Sequence, residues 1–492
     1  MDKFNLEAFA TLLSDVGAKT ATALRELLNQ KDAEAPDLMN ARGRIEALFD
    51  AGTFTEIGAF VRRRPTEFDT STYEFESVIC GWGAIDGRLV YAFAQDVTRS
   101  AGSVSEAHAK KICDTYRLAM ENGAPVIGIF ESSGAVIPEG VRVMAGYGKI
   151  IKAVSSASGV IPQIAIATGN VSGAAAIITG MFDLVIKTDA ASLSVNPQFN
   201  TNTNGKSDLG ITAVRVASVG DAVQRARDIL EYLPSNNSEG APADLSSDSP
   251  ARLISLDSYS AEPDAFSLIT AVADNSKYIE LYADYAPEIV GALASVGGVA
   301  VGFVVNNKAV GKGALTAEGA RKASRLVSLF DSFNIPVITA VDSIGFDTGA
   351  ASESSPFASE LAKLAGAYAA ASVPMITVIA GEAYGSTFTV MGSKALGADM
   401  VFALDGAKIA AMNAKSAVAF LMNDEISASV TRADLEAKWN ERVANPIEAA
   451  ASGEIDDIVA GEELRARIAS ALYMLASKSQ ISASRKHFTM PL

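Results

Sequence analysis

The sequence predicts an α/β fold built from two copies of one unit. Three segments of the first half match three segments of the second half in one nearly constant register: 102–111 with 313–322, 124–131 with 335–342, and 161–175 with 373–387. Within the last pair, Gly169 aligns with Gly381 and Gly173 with Gly385. Such self-similarity at a fixed spacing is typical of a duplicated unit.

Each copy alternates strands with helices. The predicted strands are apolar runs without polar alternation, as expected where both faces of a sheet are covered; they are 88–95, 125–130 and 162–168 in the first copy, and 299–306, 336–341 and 374–380 in the second. Amphipathic helices follow the first strand of each copy, because apolar residues recur there at helical spacing. Those residues are Ile112, Tyr116 and Met120 in one copy, and Ala323, Val327 and Phe330 in the other. Further helices are predicted at 173–181 and 385–395. This alternation indicates an α/β fold with crossover connections.

Length and composition indicate a globular protein of several units. The 492 residues are 49% hydrophobic and 20% charged, and roughly 150 residues per domain is the usual prior. We expect one domain at 1–240, which includes a charged, helix-prone arm at 1–48, and another at 241–492. A segment rich in Pro, Ser, Asn and Asp at 234–264 reads as the linker. The net charge of −16 makes nucleic acid an unexpected partner.

The sequence gives little indication of a metal site, a membrane-spanning helix or an ATP-binding loop. The two cysteines and two histidines, Cys80, Cys113, His108 and His487, have no metal-site spacing, so we expect no metal. No Gly-rich ATP loop is present. The amino-terminal residues lack the layout of a signal peptide, which predicts a cytoplasmic protein. Two long uncharged stretches could suggest membrane helices, but each contains a Pro and several Gly, which favours buried strands and helices.

Several segments together resemble one enzyme family. They are 41–60 (ARGRIEALFDAGTFTEIGAF), 91–112 (YAFAQDVTRSAGSVSEAHAKKI), 123–135 (GAPVIGIFESSGA), 144–150 (MAGYGKI), 158–175 (SGVIPQIAIATGNVSGAA), 331–346 (DSFNIPVITAVDSIGF), 382–394 (EAYGSTFTVMGSK) and 484–492 (SRKHFTMPL). The chain resembles the carboxyltransferase subunits of biotin-dependent acyl-CoA carboxylases and decarboxylases, of the propionyl-CoA carboxylase β chain and methylmalonyl-CoA decarboxylase type. That resemblance covers nearly the whole length.

The resemblance implies a fold of two crotonase-like ββα domains and a site at two strand-to-helix turns. Small residues there let backbone N–H groups approach an oxyanion closely. The implied oxyanion positions are Gly173 and Ala174 in the first copy, and Gly385, Ser386 and Thr387 in the second. The implied substrate-binding positions are Ser133, Gly134, Ala135, Tyr384 and Thr389. Tight helix–strand packing is the other interpretation of these small residues.

The resemblance also implies substrates and partners. The substrates would be a short-chain acyl-CoA and a carboxyl group carried on biotin. The sequence has no Met-Lys-Met biotinylation motif, so a separate biotin carboxyl carrier protein is expected. The family further implies a biotin carboxylase subunit or a membrane decarboxylase subunit as a partner, and a homo-hexamer arranged as a trimer of dimers.

This chain departs from the family pattern in both copies. Ala174 and Ser386 stand where a second Gly is usual, the segment 131–136 lacks an Arg, and the segment 341–346 lacks a Pro. Thr389 occupies a position where an acid is frequent in the propionyl-type enzymes. A diverged, non-catalytic scaffold is therefore one alternative. A transporter is another, because paired Gly- and Pro-interrupted apolar segments also occur there.

Five further charged or polar sites are candidates for function, but a structural, surface or interface role is favoured for each. We expect His108 to be structural rather than a base. The run Arg62–Arg64 could meet CoA phosphates, but a solvated cluster or subunit contact is favoured. Lys322 and Arg325 are expected at a surface or interface, and Asp342 is expected to organise a loop.

Overall fold

Two mixed β-sheets with the same strand order form the framework of the protein. The computed structural model describes residues 38, 40–68, 75–196, 210–353, 356–427, 429–479 and 489. In each sheet a main path of seven strands runs in one order, and an eighth short strand pairs with the fifth strand of its own half. The equal strand order agrees with the duplication read from the sequence.

The first sheet belongs to the first half of the chain. Its strands are β1 (Thr55–Ile57), β2 (Val78–Ile85), β3 (Arg88–Gln95), β4 (Val126–Ser132), β5 (Gln163–Ser172), β6 (Leu184–Thr188), β7 (Ser192–Ser194) and β8 (Val214–Val216). The path runs β1-β2-β3-β4-β5-β6-β8, and β7 pairs with β5. Strands β1 to β3 are antiparallel, and the pairs from β3 onward are parallel.

The second sheet repeats this plan. Its strands are β9 (Tyr278–Leu281), β10 (Ile289–Val296), β11 (Val299–Asn306), β12 (Val337–Ser343), β13 (Met375–Tyr384), β14 (Met400–Leu404), β15 (Lys408–Ala410) and β16 (Asp457–Val459). The path runs β9-β10-β11-β12-β13-β14-β16, and β15 pairs with β13. The central strands β4, β5, β12 and β13 are buried along most of their length, which explains their apolar sequences.

Helices connect and cover the strands. They are α1 (Ala41–Leu48), α2 (Glu106–Asn122), α3 (Val141–Ala157), α4 (Ala174–Gly180), α5 (Val219–Glu231), α6 (Asp257–Ala261), α7 (Ala265–Val272), α8 (Ala317–Ser332), α9 (Ala350–Glu353), α10 (Phe357–Ala370), α11 (Ser386–Val390), α12 (Ala414–Leu421), α13 (Arg432–Arg442), α14 (Pro446–Ala451) and α15 (Leu464–Leu475). The equivalent helices α2 and α8 start alike, because Ser105 and Thr316 accept the N–H of the third helical residue.

The predicted strands are confirmed, and one predicted helix is too long. Each of the six predicted strands overlaps one observed strand, β3, β4, β5, β11, β12 or β13, and begins within one residue of it. The helix expected at 385–395 ends at Val390, because Gly392 adopts a φ of +68° that a helix cannot accommodate. A separate 3₁₀ turn follows at Lys394–Leu396.

The two halves share a hydrophobic core and direct hydrogen bonds. The backbone N–H of Tyr282 donates to the carbonyl of Ala213 at 2.7 Å. The Arg325 guanidinium donates to the carbonyls of Phe182 and Asp183, each at 3.0 Å. One continuous core cluster includes buried residues of both halves. Across the described ranges, no helix is long and apolar enough to cross a membrane.

The chain between the sheets is held by a buried arginine. Arg465 of α15 is fully buried and donates to Asp274 at 2.7 Å and to the carbonyl of Val272 at 2.6 Å. Asp274 in turn accepts the N–H groups of Gly297 and Gly298 at the β10–β11 turn. This network ties the last described helix to the segment that precedes the second sheet.

Candidate functional site

In each half, two parallel strands end side by side at one edge of the sheet. Ser132 of β4 is paired with Val171 of β5, and Ser343 of β12 is paired with Ala383 of β13. The loop after β4 therefore lies beside the turn after β5, and the second half repeats the arrangement. Carboxyl ends of parallel strands are common positions for ligand sites in α/β folds.

The first-half turn, Gly173–Ala174, joins β5 to α4. Gly173 has φ +66° and ψ −133°, a conformation that residues with a side chain rarely adopt. Its N–H donates to the carbonyl of Ser194 at 3.0 Å, so the glycine itself is engaged in the sheet. The following N–H groups, of Ala174 and Ala175, open the helix, where no intrahelical acceptor exists for them.

The second-half turn, Gly385–Thr387, has the same geometry. Gly385 has φ +60° and ψ −145°, and its N–H donates to the carbonyl of Ala410 at 3.0 Å. Ser386 is exposed, whereas Thr387 is fully buried and its hydroxyl has no partner among the described residues. The backbone N–H groups of Ser386 and Thr387 thus occupy the place that Ala174 and Ala175 occupy in the first half.

The other two second-half candidates differ in exposure. Thr389 is exposed on α11, three residues beyond the start of the helix. Tyr384 is buried at the end of β13, and its hydroxyl donates to the Glu382 carboxylate at 3.5 Å. Burial is the first cause that raises the pKa of Tyr384, and Glu382 adds to it. Tyr384 is therefore a neutral donor at neutral pH.

The loops that follow β4 and β12 are built alike. Gly134 has φ +118° and its N–H donates to the Ser132 hydroxyl at 3.2 Å. Gly345 has φ +127° and its N–H donates to the Ser343 hydroxyl at the same distance. Ser133, Gly134 and Ala135 are exposed or partly exposed beside the first-half turn. The structure therefore brings all three first-half loop candidates to the sheet edge that carries Gly173.

A carboxylate braces the strand end in the first half. The Glu131 carboxylate accepts Arg44 at 2.5 Å and Thr168 at 3.2 Å. A Cβ atom at Gly169 would overlap this carboxylate, so the glycine provides the space that Glu131 needs. The aligned glycine, Gly381, lies in the same way against Asp342.

Asp342 braces the strand end in the second half. It is buried and accepts the Tyr259 hydroxyl at 2.7 Å, Lys308 at 2.7 Å and the Glu382 N–H at 2.8 Å. Lys308 also donates to the Glu382 carboxylate at 2.9 Å. Burial alone would lower the pKa of Lys308, but its hydrogen bonds to Asp342 and Glu382 raise it. Asp342 was expected to organise a loop, and it binds Lys308, which lies in the loop after β11. The sequence did not indicate Lys308 and Tyr259 as its partners.

The remaining candidates are placed as follows. His108 is fully buried, and burial lowers its pKa to about 3, so it is no base at neutral pH. Arg62 and Arg64 are exposed, but Arg63 is buried and is not part of a solvated cluster.

The prediction that Lys322 lies at the surface is wrong. Arg325, three residues further along α8, is exposed as predicted. Lys322 is 3% exposed and donates to the carbonyls of Tyr282 and Tyr285, each at 2.8 Å. Those carbonyls come from a segment far from α8 in sequence, and they attract the ammonium inward. His487 lies outside the described residues. Within the described ranges, no cluster of potential metal ligands is present.

Comparison with known proteins shows which protein family the chain resembles. The carboxyl transferase domain model matches residues 38–195 and 194–490. The chain is 36% identical to the propionyl-CoA carboxylase beta chain of Roseobacter denitrificans, covering 92% of this chain and 94% of that protein. It is 37% identical to the methylmalonyl-CoA decarboxylase subunit alpha of Veillonella parvula, covering 92% and 93%.

A solved structure shares the whole architecture. The transcarboxylase 12S hexamer with hydrolysed methylmalonyl-coenzyme A bound superposes with a TM-score of 0.90 at 31% identity. The match covers 96% of this chain and 98% of that one. Fold and sequence thus define a carboxyl-transferring enzyme. The chain belongs to the carboxyl transferase domain family, and it is a carboxyltransferase of the propionyl-CoA carboxylase and methylmalonyl-CoA decarboxylase type.

Proposed function

We propose that the protein moves a carboxyl group between carboxybiotin on a separate carrier protein and a short-chain acyl-CoA, with its two strand-end turns as oxyanion holes. One observation carries this proposal. Both halves place a glycine of positive φ at the end of the fifth strand, followed directly by the first N–H groups of a helix. A duplicated turn of this kind suits a reaction in which two different oxygens become negative.

The chemistry requires two such places. In the carboxylation direction the N–C bond of carboxybiotin breaks, and its carboxyl carbon bonds to the α-carbon of the acyl-CoA. The proton that leaves the α-carbon ends on the ureido nitrogen, which restores neutral biotin. Negative charge develops on the thioester oxygen of one substrate and on the ureido oxygen of the other. Preorganised N–H groups at a helix start stabilise such charge without reorganising. The first-half turn would supply Ala174, and the second-half turn would supply Ser386 and Thr387.

The acyl-CoA class is supported by the relatives. Two curated relatives are named for propionyl-CoA and methylmalonyl-CoA, and the related solved structure contains hydrolysed methylmalonyl-coenzyme A. We extend this substrate class to the present chain, either as the propionyl/methylmalonyl pair or as the acetyl/malonyl pair. The exposed candidates Ser133, Gly134, Ala135 and Thr389 would contact the substrate near the turns, and Tyr384 would shape the wall behind them.

The proposed assembly is a homo-hexamer that docks a biotin carboxyl carrier protein. The related solved structure is a hexamer. Large apolar side chains project from both halves: Ile137 is 83% exposed, Val141 81% and Phe420 80%. Exposed apolar groups in such number favour burial between copies. A biotin carboxylase subunit or a membrane decarboxylase subunit would complete the complex, in the cytoplasm.

The proposed domain division follows the two sheets. We place the boundary between residues 240 and 241, because β8 and α5 still belong to the first half and β9 opens the second. Each half would then be one crotonase-like ββα domain. The equal strand order of the two sheets supports this assignment.

An acyl-CoA panel tests the proposal. Purified protein is incubated with malonyl-CoA, methylmalonyl-CoA and longer carboxylated acyl-CoAs, with free biotin as the carboxyl acceptor. Biotin-dependent loss of carboxyl from one short-chain acyl-CoA is expected. If no acyl-CoA reacts while the protein is folded and oligomeric, the scaffold alternative becomes the better account.

A further inference from the structure

A row of buried polar side chains lies behind the first-half strand end. His108 of α2 is fully buried, and Gln95 at the end of β3 and Ser77 are each 2% exposed. The Ser77 hydroxyl lies 3.1 Å from His108 Nδ1, and Gln95 Nε2 lies 3.4 Å from His108 Nε2. The histidine therefore has one partner on each ring nitrogen.

The hydrogen bonds assign the tautomer of this histidine. The Ser77 hydroxyl donates its one proton to the carbonyl of Ser103 at 2.8 Å, so Ser77 Oγ can only accept from His108. The ring proton is therefore on Nδ1, and Nε2 is an acceptor. Gln95 must then present its amide NH₂ to His108 and its carbonyl oxygen to the other side.

That carbonyl oxygen reaches the start of the candidate loop. Gln95 Oε1 accepts the N–H of Glu131 at 3.1 Å. Glu131 lies at the irregularity of the β4–β5 ladder, where the register shifts between Phe130 and Ser132. Such irregularities re-aim the residues that follow them, and here those residues are the loop 133–135.

The second half has no equivalent of this row. Asn306 stands where Gln95 stands in the first half, and its Oδ1 has no partner among the described residues. Gly319 stands where His108 stands, and a Cβ there would press on the Glu288 carboxylate. The row is thus a feature of one half, although in both halves the helix-capping hydroxyl donates to a buried glutamate, Ser105 to Glu76 and Thr316 to Glu288.

We propose that His108 is a positioning residue: through Gln95 it fixes the N–H of Glu131 and so the orientation of the loop 133–135 beside Gly173. This inference rests on the proposed function for its effect on carboxyl transfer. Burial keeps the pKa of His108 low, at about 3, so the ring remains a neutral acceptor for Gln95 at working pH. A general base would instead need a pKa near the working pH.

Hydrogen exchange on the intact oligomer tests the contact without using activity. His108→Met removes the acceptor, whereas His108→Gln can return an acceptor oxygen to the Nε2 position. We expect exchange at the Glu131 amide to rise on the order of fivefold in H108M. It should stay near wild type in H108Q, and peptides covering 337–347 of the second half serve as the internal control. Equal exchange at Glu131 in wild type and H108M, or equal increases in H108M and H108Q, would overturn the proposal.

Kinetics with methylmalonyl-CoA and free biotin separate positioning from simple loss of folded protein. In H108M the KM of one of the two substrates should rise about tenfold, while the other KM stays within twofold, and H108Q should restore it. A drop in kcat with both KM values unchanged would indicate lost active protein and contradict the positioning role. If wild type itself transfers no carboxyl but exchange behaves as expected, the proposed function fails while the contact to Glu131 stands.

Discussion

The two turn glycines, Gly173 and Gly385, set the backbone conformation of the proposed oxyanion holes. At Gly385 a side chain would meet both a strained backbone and the carbonyl of Ala411. We expect Gly385→Val to displace the N–H groups of Ser386 and Thr387 and to lower kcat about a hundred- to thousandfold, as for the loss of one oxyanion donor. The oligomer should remain folded, because the turn borders exposed residues. Steady-state kinetics with the best acyl-CoA, together with size-exclusion chromatography, measure both effects.

Ser386→Ala is the matched control for that substitution. It removes an exposed hydroxyl but keeps the backbone N–H, so kcat should stay within about threefold of wild type, in line with a surface change. A Gly385→Val enzyme with near-normal kcat, or a Ser386→Ala enzyme as impaired as Gly385→Val, would show that the backbone at this turn is not the oxyanion donor.

At the residue scale, the sequence predicted the positions but not the contacts. The aligned glycines located both turns, because a backbone conformation reserved for glycine leaves a visible mark in the sequence. Lys322 was misplaced, since a lysine on an amphipathic helix usually points to solvent. Here the Lys322 ammonium donates to the carbonyls of Tyr282 and Tyr285, and that arrangement depends on tertiary structure.

At the scale of elements, each pair of strand ends is held by a charged brace. In the second half Lys308 neutralises both Asp342 and Glu382. Lys308→Met would leave these carboxylates close together without a cation, and Asp342 is buried. We expect a loss of about 2–4 kcal/mol in the free energy of unfolding, less than for a fully buried pair because Lys308 is partly exposed. Denaturant unfolding measures it.

Lys312→Met provides the control for the lysine change. Lys312 is exposed and lies in the loop that follows β11, so the cost should stay within about 0.5 kcal/mol. Equal destabilisation by the two methionine variants would remove the special role assigned to Lys308.

The helix α15 offers a second comparison within one element. Arg465 is fully buried against Asp274, whereas Arg467 is half exposed and pairs with Glu463. Arg465→Met should cost about 3–5 kcal/mol, because it leaves a buried carboxylate unpaired, and Arg467→Met should cost at most about 1 kcal/mol. Thermal melts of both variants test the difference, and similar melting temperatures would contradict the buried network.

The elements themselves were largely predictable. Apolar runs without alternation located six strands, and helical spacing located α2 and α8. The early end of α11 at Val390 was not predicted, because a glycine inside a helical pattern is often tolerated. Only the structure shows that Gly392 adopts a positive φ.

At the scale of the whole molecule, Asp183 titrates where the halves meet. Burial raises its pKa to about 7, and Arg325 of the other half opposes the shift. Because the folded pKa lies above the unfolded value of 3.8, the unfolded state gives up its proton first as pH rises. Stability should therefore fall between about pH 4 and 7, by on the order of 2–4 kcal/mol.

Asp183→Asn should remove this dependence. The amide oxygen can still accept the N–H of Gln163, which the carboxylate accepts at 2.9 Å. Melting temperatures between pH 5 and 8 should decline less in the variant than in wild type. Asp399→Asn is the counterpart in the second half; it breaks the pair with Lys478 and should lower the melting temperature instead. Parallel pH profiles for wild type and Asp183→Asn would refute the assigned titration.

The two sheets of equal strand order could be predicted from the sequence, because both halves of the chain carry the same turns and strand patterns. The contacts between the halves, such as those of Arg325 with the carbonyls of Phe182 and Asp183, could not be predicted. Every residue has a backbone carbonyl, so the sequence does not indicate which one accepts a hydrogen bond. The exposure of apolar side chains in both halves likewise could not be predicted, because it depends on the tertiary structure.

Transfer of labelled carboxyl from methylmalonyl-CoA to free biotin by the intact oligomer tests the role of the two turns most directly. Labelled biotin is expected with the wild-type protein. With folded Gly173→Val or Gly385→Val protein, the rate should be lower by about a hundredfold or more. Transfer at the wild-type rate by both folded variants would contradict the assignment of the two turns as the oxyanion holes.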